Sequence, residues 1–190
     1  MPALTFRRAG PADATAVRDL TRAAYAKWCA VIGREPKPMT TDYDRAVRDH
    51  LIDLLVEESA LMIESPSTAK RERACPRPDP GEGVRVRRNP DSTPTENLLG
   101  MIEMIPHADH LLIENVAVSP AAQGRGIGRL LMQHAERTAA DLCLPQVRLY
   151  TNKAFDTNLR FYATLGYRVD REEPYKGGFV VHLSKPVSRN

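Results

Sequence analysis

Val116-Ala117-Val118-Ser119-Pro120-Ala121-Ala122-Gln123-Gly124-Arg125-Gly126-Ile127-Gly128-Arg129 is the stretch on which the reading of this chain turns. Its apolar start has the pattern of a buried strand, Pro120 breaks that strand, and a glycine-rich turn leads straight into a helical pattern. Glycines at 124, 126 and 128 remove side chains where an anion would sit, so successive backbone N–H groups can point at it. The positive end of the helix macrodipole adds to that attraction. Arg125 and Arg129 bring two guanidinium groups to the rim, within reach of phosphate oxygens. The spacing predicts a phosphate site and excludes two common ones. A Walker loop needs Gly, four residues and then Gly-Lys-Ser/Thr, and no lysine follows any of these glycines. A dinucleotide fingerprint needs Gly-x-Gly-x-x-Gly, and its last position falls on Arg129 or Leu131. A glycine-rich turn with no ligand is the duller alternative.

Working outward, Ile127, Leu130, Leu131, His134, Ala135, Thr138, Ala139 and Leu142 recur at helical spacing, and Pro145 ends that helix. Val147, Leu149 and Tyr150 make a short strand, and a second helix runs from about Ala154 to Leu165 with Gly166 as its stop. Asn158 and Tyr162, four residues apart, share a face of it. Tyr167–Val169 and Phe179–Leu183 read as two further strands joined by a Gly177-Gly178 turn. In the first half, Leu4, Phe6 and Arg8 alternate as a strand, and Pro11-Ala12-Asp13 opens a helix running through Val17, Leu20, Ala24 and Trp28. Tyr43 to about Leu51 reads as a short helix, Ile52–Val56 and Leu61–Ile63 as strands, and Leu98–Ile105 with Leu111–Val118 as a central pair.

Residues 65–97 differ in character. They hold six prolines and seven Lys or Arg with no aromatic side chain, too little apolar surface to repay ordering, so a flexible insertion is expected there. The basic tilt at Arg85, Arg87 and Arg88 lacks the interleaved aromatics that would stack nucleic-acid bases. At 190 residues and net charge +3 the chain suits one α/β domain, and a nucleic-acid partner is not expected. No apolar run approaches a membrane span, the amino terminus lacks a signal-like core, and three widely spaced cysteines indicate neither a disulfide framework nor zinc. A cytoplasmic location is expected. His107-Ala108-Asp109-His110 falls in a turn without a matching ligand pair, so no metal is expected. His134 reads as a hydrogen-bonded structural histidine and Cys143 as a small apolar filler; Tyr25 and Trp28 divide evenly between core and pocket.

Gln123-Gly124-Arg125-Gly126-Ile127-Gly128 closely resembles the Gln/Arg-x-x-Gly-x-Gly/Ala signature of the GNAT superfamily of acetyl-CoA-dependent N-acetyltransferases. Strand, glycine loop, helix, strand, helix, strand, strand is also the order of the second half of that domain. The likeness covers about residues 3–64 and 98–185. It implies a single GNAT-like domain over 1–190, with a mixed central sheet of six to seven strands splayed in the middle and flanked by about four helices. It implies acetyl-CoA as cosubstrate, with Val116, Ala117 and Val118 as the strand whose main chain pairs the pantetheine. Backbone atoms of Gln123, Gly124, Arg125, Gly126, Ile127, Gly128 and Arg129 would take the pyrophosphate, and Asn158 would contact the pantetheine arm. It also implies an acceptor pocket built from the first two helices and the loop Ile32-Gly33-Arg34-Glu35-Pro36. A small-molecule or peptide amine is the expected acceptor, and a homodimer is one arrangement that the sequence leaves open.

Acetyl transfer makes two demands on protons. A lysine-like amine of pKa near 10.4 is neutral in only about one molecule in 2,500 at pH 7, a handicap of roughly 4.6 kcal/mol, so a base matters. The departing thiolate, of pKa near 8.5, needs an acid. Tyr162 occupies the place of the acid in the GNAT pattern. For the base, Glu114 precedes Val116 by two residues, so strand alternation predicts that both share a face; Glu103 on the neighbouring strand and a water chain remain alternatives. An acetyl-CoA-binding regulatory or interaction protein without transferase activity is the second function class.

Overall fold

The computed structural model describes residues 3–58 and 96–187. Strand β1 (Leu4–Arg8) is followed by a 3-10 turn at Pro11–Asp13 and helix α1 (Ala14–Ile32). A second 3-10 turn at Lys37–Thr40 precedes helix α2 (Tyr43–Asp49). Strands β2 (Leu51–Glu58), β3 (Glu96–Pro106) and β4 (Leu111–Val118) come next, then helix α3 (Ile127–Asp141), strand β5 (Gln146–Asn152) and helix α4 (Asp156–Thr164). Strands β6 (Arg168–Tyr175) and β7 (Gly178–Pro186) complete the chain. Local chemistry sets several of these bounds. Asp42 accepts from the Arg45 N–H at 3.2 Å to cap α2, and Gly33 (φ 68°) and Gly166 (φ 87°) supply the left-handed residues beyond α1 and α4.

The strands form one mixed seven-stranded sheet in the order β1-β2-β3-β4-β5-β7-β6, a single α/β layer arrangement with four helices. On one face α3 places Leu131, Met132 and Ala135 against Ile102, Met104 and Leu149. On the other, Val17 and Leu20 of α1 and Tyr43 of α2 pack on Ile52, Leu54 and Met101. Each such aliphatic side chain contributes about 1.5–3 kcal/mol when fully buried, and the two half-cores clamp the sheet between helices. The buried Asp53 of β2 is compensated by Arg8 Nε at 2.6 Å and His134 Nε2 at 2.7 Å. His134 also stacks on Phe6, so it is the hydrogen-bonded structural histidine its position suggested.

Among the described residues only β4 and β5 pair in parallel, and only over Leu111–Ile113 against Val147–Leu149. Beyond that point β4 continues to Val118 against β3 and β5 to Asn152 against β7, no longer paired with each other, so the sheet opens into a wedge at its centre. A bulge in the β3–β4 ladder sits beside the opening: Glu103 pairs with Asn115 and Met104 with Ile113, leaving Glu114 as the extra residue.

Several expectations need correction. Leu51 starts β2 rather than ending α2, since the chain turns at His50. The α3 helix stops at Asp141, ahead of Pro145; Cys143 (φ 58°) lies exposed past its end, not as an apolar filler. The β6–β7 turn is Lys176-Gly177, both at positive φ, with Gly178 already paired to Tyr175. The proposed strand Leu61–Ile63 and nearly all of the 65–97 insertion lie outside the described residues. Among the described residues no helix is long and apolar enough to cross a membrane.

Candidate active site

The glycine loop connects the end of β4, through a 3-10 turn at Pro120–Ala122, to the first turn of α3. Gly124 (φ 80°) and Gly126 (φ 81°) adopt the left-handed conformation, and a Cβ at either would meet nothing within 4 Å. Glycine is needed there for the backbone, and the space in front of it is open. Leu130 is the first residue to bond back into the loop, its N–H reaching the Gly126 carbonyl at 3.2 Å. The N–H groups of Ile127, Gly128 and Arg129 have no main-chain acceptor among the described residues, which leaves the helix end available to an anion.

Two details differ from the sequence reading. Gly128 does not clear space for an anion: a Cβ there would stand 3.2 Å from Phe161 Cζ, so its absence lets α3 approach α4. Arg125 is engaged elsewhere, its Nη2 3.0 Å from Glu57 Oε1, and the guanidinium draws the Glu57 carboxyl below its ordinary range. Arg129 does line the cavity in front of the loop. That cavity, about 490 Å³, also receives Trp28 of α1, which the sequence left evenly between core and pocket, and Lys27, which motif spacing did not point to. Lys27 Nζ lies 3.5 Å from Gln123 Oε1, and Gln123 Nε2 donates to the Val118 carbonyl at 3.3 Å.

A second cavity of about 310 Å³ opens on the other side of the wedge. The two share Tyr25, Val116, Asn158 and Tyr162, so the junction falls where β4 and β5 part. Tyr25 belongs to both core and pocket: its ring packs against the α1-side core, and its hydroxyl donates to Asn115 Oδ1 at 2.8 Å and stands 3.4 Å from the Val116 carbonyl. Asn115 in turn donates to the Tyr43 hydroxyl at 3.0 Å, tying the bulged strand to α1 and α2. Burial pushes Tyr162 up to about 12, so its hydroxyl remains a proton donor throughout the neutral range.

Both candidate carboxylates line the second cavity. Their surroundings differ. Glu114 accepts from Lys37 Nζ at 2.5 Å and from the Tyr150 hydroxyl at 2.6 Å. Burial works against charge on Lys37, yet the bonds to Glu114 and Tyr150 outweigh it and raise its pKa. Burial, reinforced by the Glu114 hydrogen bond, lifts Tyr150 to about 12. Glu103 is buried and bonded to His50 Nδ1 at 2.6 Å; desolvation raises its pKa despite that bond. The bulge also breaks the alternation expected of β4. Ile113 belongs to the α3-side core, whereas Asn115 bonds to Tyr43 and Ala117 packs on the α1 side. Glu114 and Val116 therefore reach the same cavity without sharing a strand face by simple alternation. The loop Ile32–Pro36 lines it through Ile32, Arg34 and Pro36. Lys37 and Tyr150 were not singled out in sequence because neither belongs to a motif.

Comparison with known proteins accords with the fold. Residues 87–169, a little under half of the chain, match the family model described as acetyltransferase (GNAT) domain. The ribosomal-protein-S18-alanine N-acetyltransferase from Escherichia coli superposes with a TM-score of 0.64 at 14% identity, over 99% of this chain and 96% of that one. The PaiA N-acetyltransferase from Thermoplasma acidophilum, solved in complex with coenzyme A, gives 0.63 at 16%, over 97% and 99%. A putative N-acetyltransferase from Lactobacillus plantarum gives 0.59 at 20%, over 98% and 99%. No curated protein matches the sequence. The fold is that of the GNAT acetyltransferases. The family match within the sequence, over residues 87–169, falls inside this same fold.

Proposed function

We propose that this chain transfers an acetyl group from acetyl-CoA to a primary amine by direct attack in a ternary complex, as one acetyltransferase domain with residues 65–97 inserted between two strands. The observation that carries the reading is the meeting of two cavities at Val116, Asn158 and Tyr162, with open N–H groups at the far end of one and Glu114 in the other. The larger cavity fits a thioester cosubstrate with a diphosphate: the unpaired N–H groups and the unobstructed glycines face its phosphate end. Val116, Ala117 and Val118, on the edge that β5 leaves unpaired, offer main-chain partners to the pantetheine, and Asn158 offers an amide.

The chemistry then divides between the two ends of the wedge. The amine nitrogen attacks the thioester carbonyl, the C–N bond forms, and the C–S bond breaks. Of the two protons that an ammonium substrate gives up, one leaves through Glu114 to solvent and one ends on the CoA sulfur, supplied by Tyr162. Backbone N–H groups of β4 stabilise the oxyanion. Glu114 is favoured over Glu103 because Glu103 is buried against His50, while Glu114 already holds an ammonium, that of Lys37. Isothermal titration with acetyl-CoA, CoA and NADH tests the reading: micromolar binding of the first two alone supports it, followed by free-thiol release on adding amines. Failure to bind either CoA species sinks it.

A further inference from the structure

Among the described residues, each carboxylate lining the smaller cavity has a basic side chain beside it, whereas one cation there has no carboxylate partner. Lys37 is paired with Glu114 at 2.5 Å. Glu103 is paired with His50 at 2.6 Å, and Glu173 has His182 at 3.0 Å and Arg171 at 3.6 Å. Arg34, from the loop after α1, lies over the Tyr175 ring at 5.7 Å and has no carboxylate partner among the described residues. The cavity thus holds one positive charge without a counter-ion, while its remaining walls include apolar side chains such as Ile32, Ile113, Leu149 and Val180.

Resting on the acetyltransferase reading above, we propose that the acceptor is a small zwitterionic amine, one that carries a carboxylate as a free amino acid does, with its carboxylate held by Arg34 and Lys37 and its ammonium by Glu114. The argument is one of exchange. Lys37 Nζ occupies the carboxylate of Glu114, bridged also to the Tyr150 hydroxyl at 3.1 Å. An acceptor ammonium must take that carboxylate, and Lys37, with a side chain 59% exposed on the turn just after Arg34, must give it up. A zwitterion returns what it takes: its own carboxylate re-pairs Lys37 and gives Arg34 a counter-ion. A plain amine leaves two cations unpaired in a partly enclosed site, and a polyamine leaves more, which is the costly arrangement. A peptide amino terminus has no carboxylate beside its amine and fares as the plain amine does. Arg34 is suited to the task because its planar fork matches a carboxylate bidentately.

The test is free-thiol release by the full chain at saturating acetyl-CoA with matched acceptors: leucine against 3-methylbutylamine, phenylalanine against 2-phenylethylamine, with spermidine and a leucyl peptide amide alongside. Rates are compared per neutral amine. The amino acid of each pair is expected to exceed its decarboxylated partner in kcat/KM by on the order of 100-fold. Arg34→Gln should bring that ratio below about ten by raising KM for the amino acid, and Arg34→Lys should restore part of it. Arg34 is only half-buried at the surface, and acetyl-CoA titration of each variant verifies that it has folded. Equal or better turnover of the decarboxylated amines, the peptide amide or spermidine overturns the proposal, as does a preference that survives Arg34→Gln. If acetyl-CoA binds and neither amino acid releases thiol, this proposal alone falls. If acetyl-CoA does not bind, the acetyltransferase reading falls with it.

Discussion

Gly126→Asp separates the anion-binding role of the loop from its structural role. Gly126 sits at φ 81°, where an L-residue costs roughly 1–2 kcal/mol, and aspartate is among the side chains that tolerate this region best. A Cβ there meets nothing within 4 Å, so no packing penalty adds to the strain. Gly126 is also the residue before α3, where a carboxylate gains about 0.3–1 kcal/mol from the helix dipole. The net loss of about 1 kcal/mol is small against the 5–15 kcal/mol of a typical domain, so the variant should fold. Binding is another matter. A carboxylate about 5 Å from a diphosphate, at an effective dielectric of about 20, repels each unit charge by ~3 kcal/mol. One to two charges raise Kd by roughly two to four orders of magnitude. Gly126→Ala keeps the strain and lacks the charge, so it should lose about tenfold or less. The assay is calorimetric titration with acetyl-CoA beside a thermal melt, at two salt concentrations, with the aspartate penalty shrinking at high salt. An aspartate variant that binds within threefold of wild type, or an alanine variant that binds as poorly as aspartate, refutes the reasoning.

Tyr162→Phe should lower kcat by about 10²-fold or more with the acetyl-CoA Kd unchanged, measured by thiol release and calorimetry; unchanged turnover removes Tyr162 from the acid's role. Because Tyr162 lies near 12, wild-type activity should show no alkaline fall from loss of its proton below about pH 11. Stability has a related alkaline signature. Burial lifts Tyr43, Tyr150 and Tyr162 from 10.0 to about 12, so the folded state holds these protons more tightly than the unfolded chain. Stability is therefore unaffected by them below pH 10 and falls as pH rises from 10 through 12, read as a declining melting temperature. A melt independent of pH over that interval contradicts their burial. Gly100→Ala should destabilise by about 1–3 kcal/mol, since its Cβ would stand 3.0 Å from the Ala117 carbonyl and from Leu131 Cδ1; chemical denaturation checks it.

The loop from Gln123 to Gly128 and the order of elements around it were legible in the sequence because both rest on local chemistry. Positive φ at Gly124 and Gly126, the stop at Gly166 and the helical stripe of α3 follow from steric preference and periodicity within a few residues. The site's charges obeyed a different logic. Arg125 meets Glu57 and Lys37 meets Glu114 across separations of 68 and 77 residues, so no window of sequence contains either pair. Gly128 looks like its neighbours in the motif, and only the approach of Phe161 gives it another purpose. The sharpest case is Glu114. Period-two alternation is a property of one strand, but the bulge that interrupts it belongs to the register between β4 and β3, with Glu103 opposite Asn115 and Met104 opposite Ile113. Chain-local chemistry determined the glycine loop and the elements that present it. Tertiary structure decided that Glu103 meets His50 and Glu114 meets Lys37, because register and ion pairing are settled only when distant segments pack.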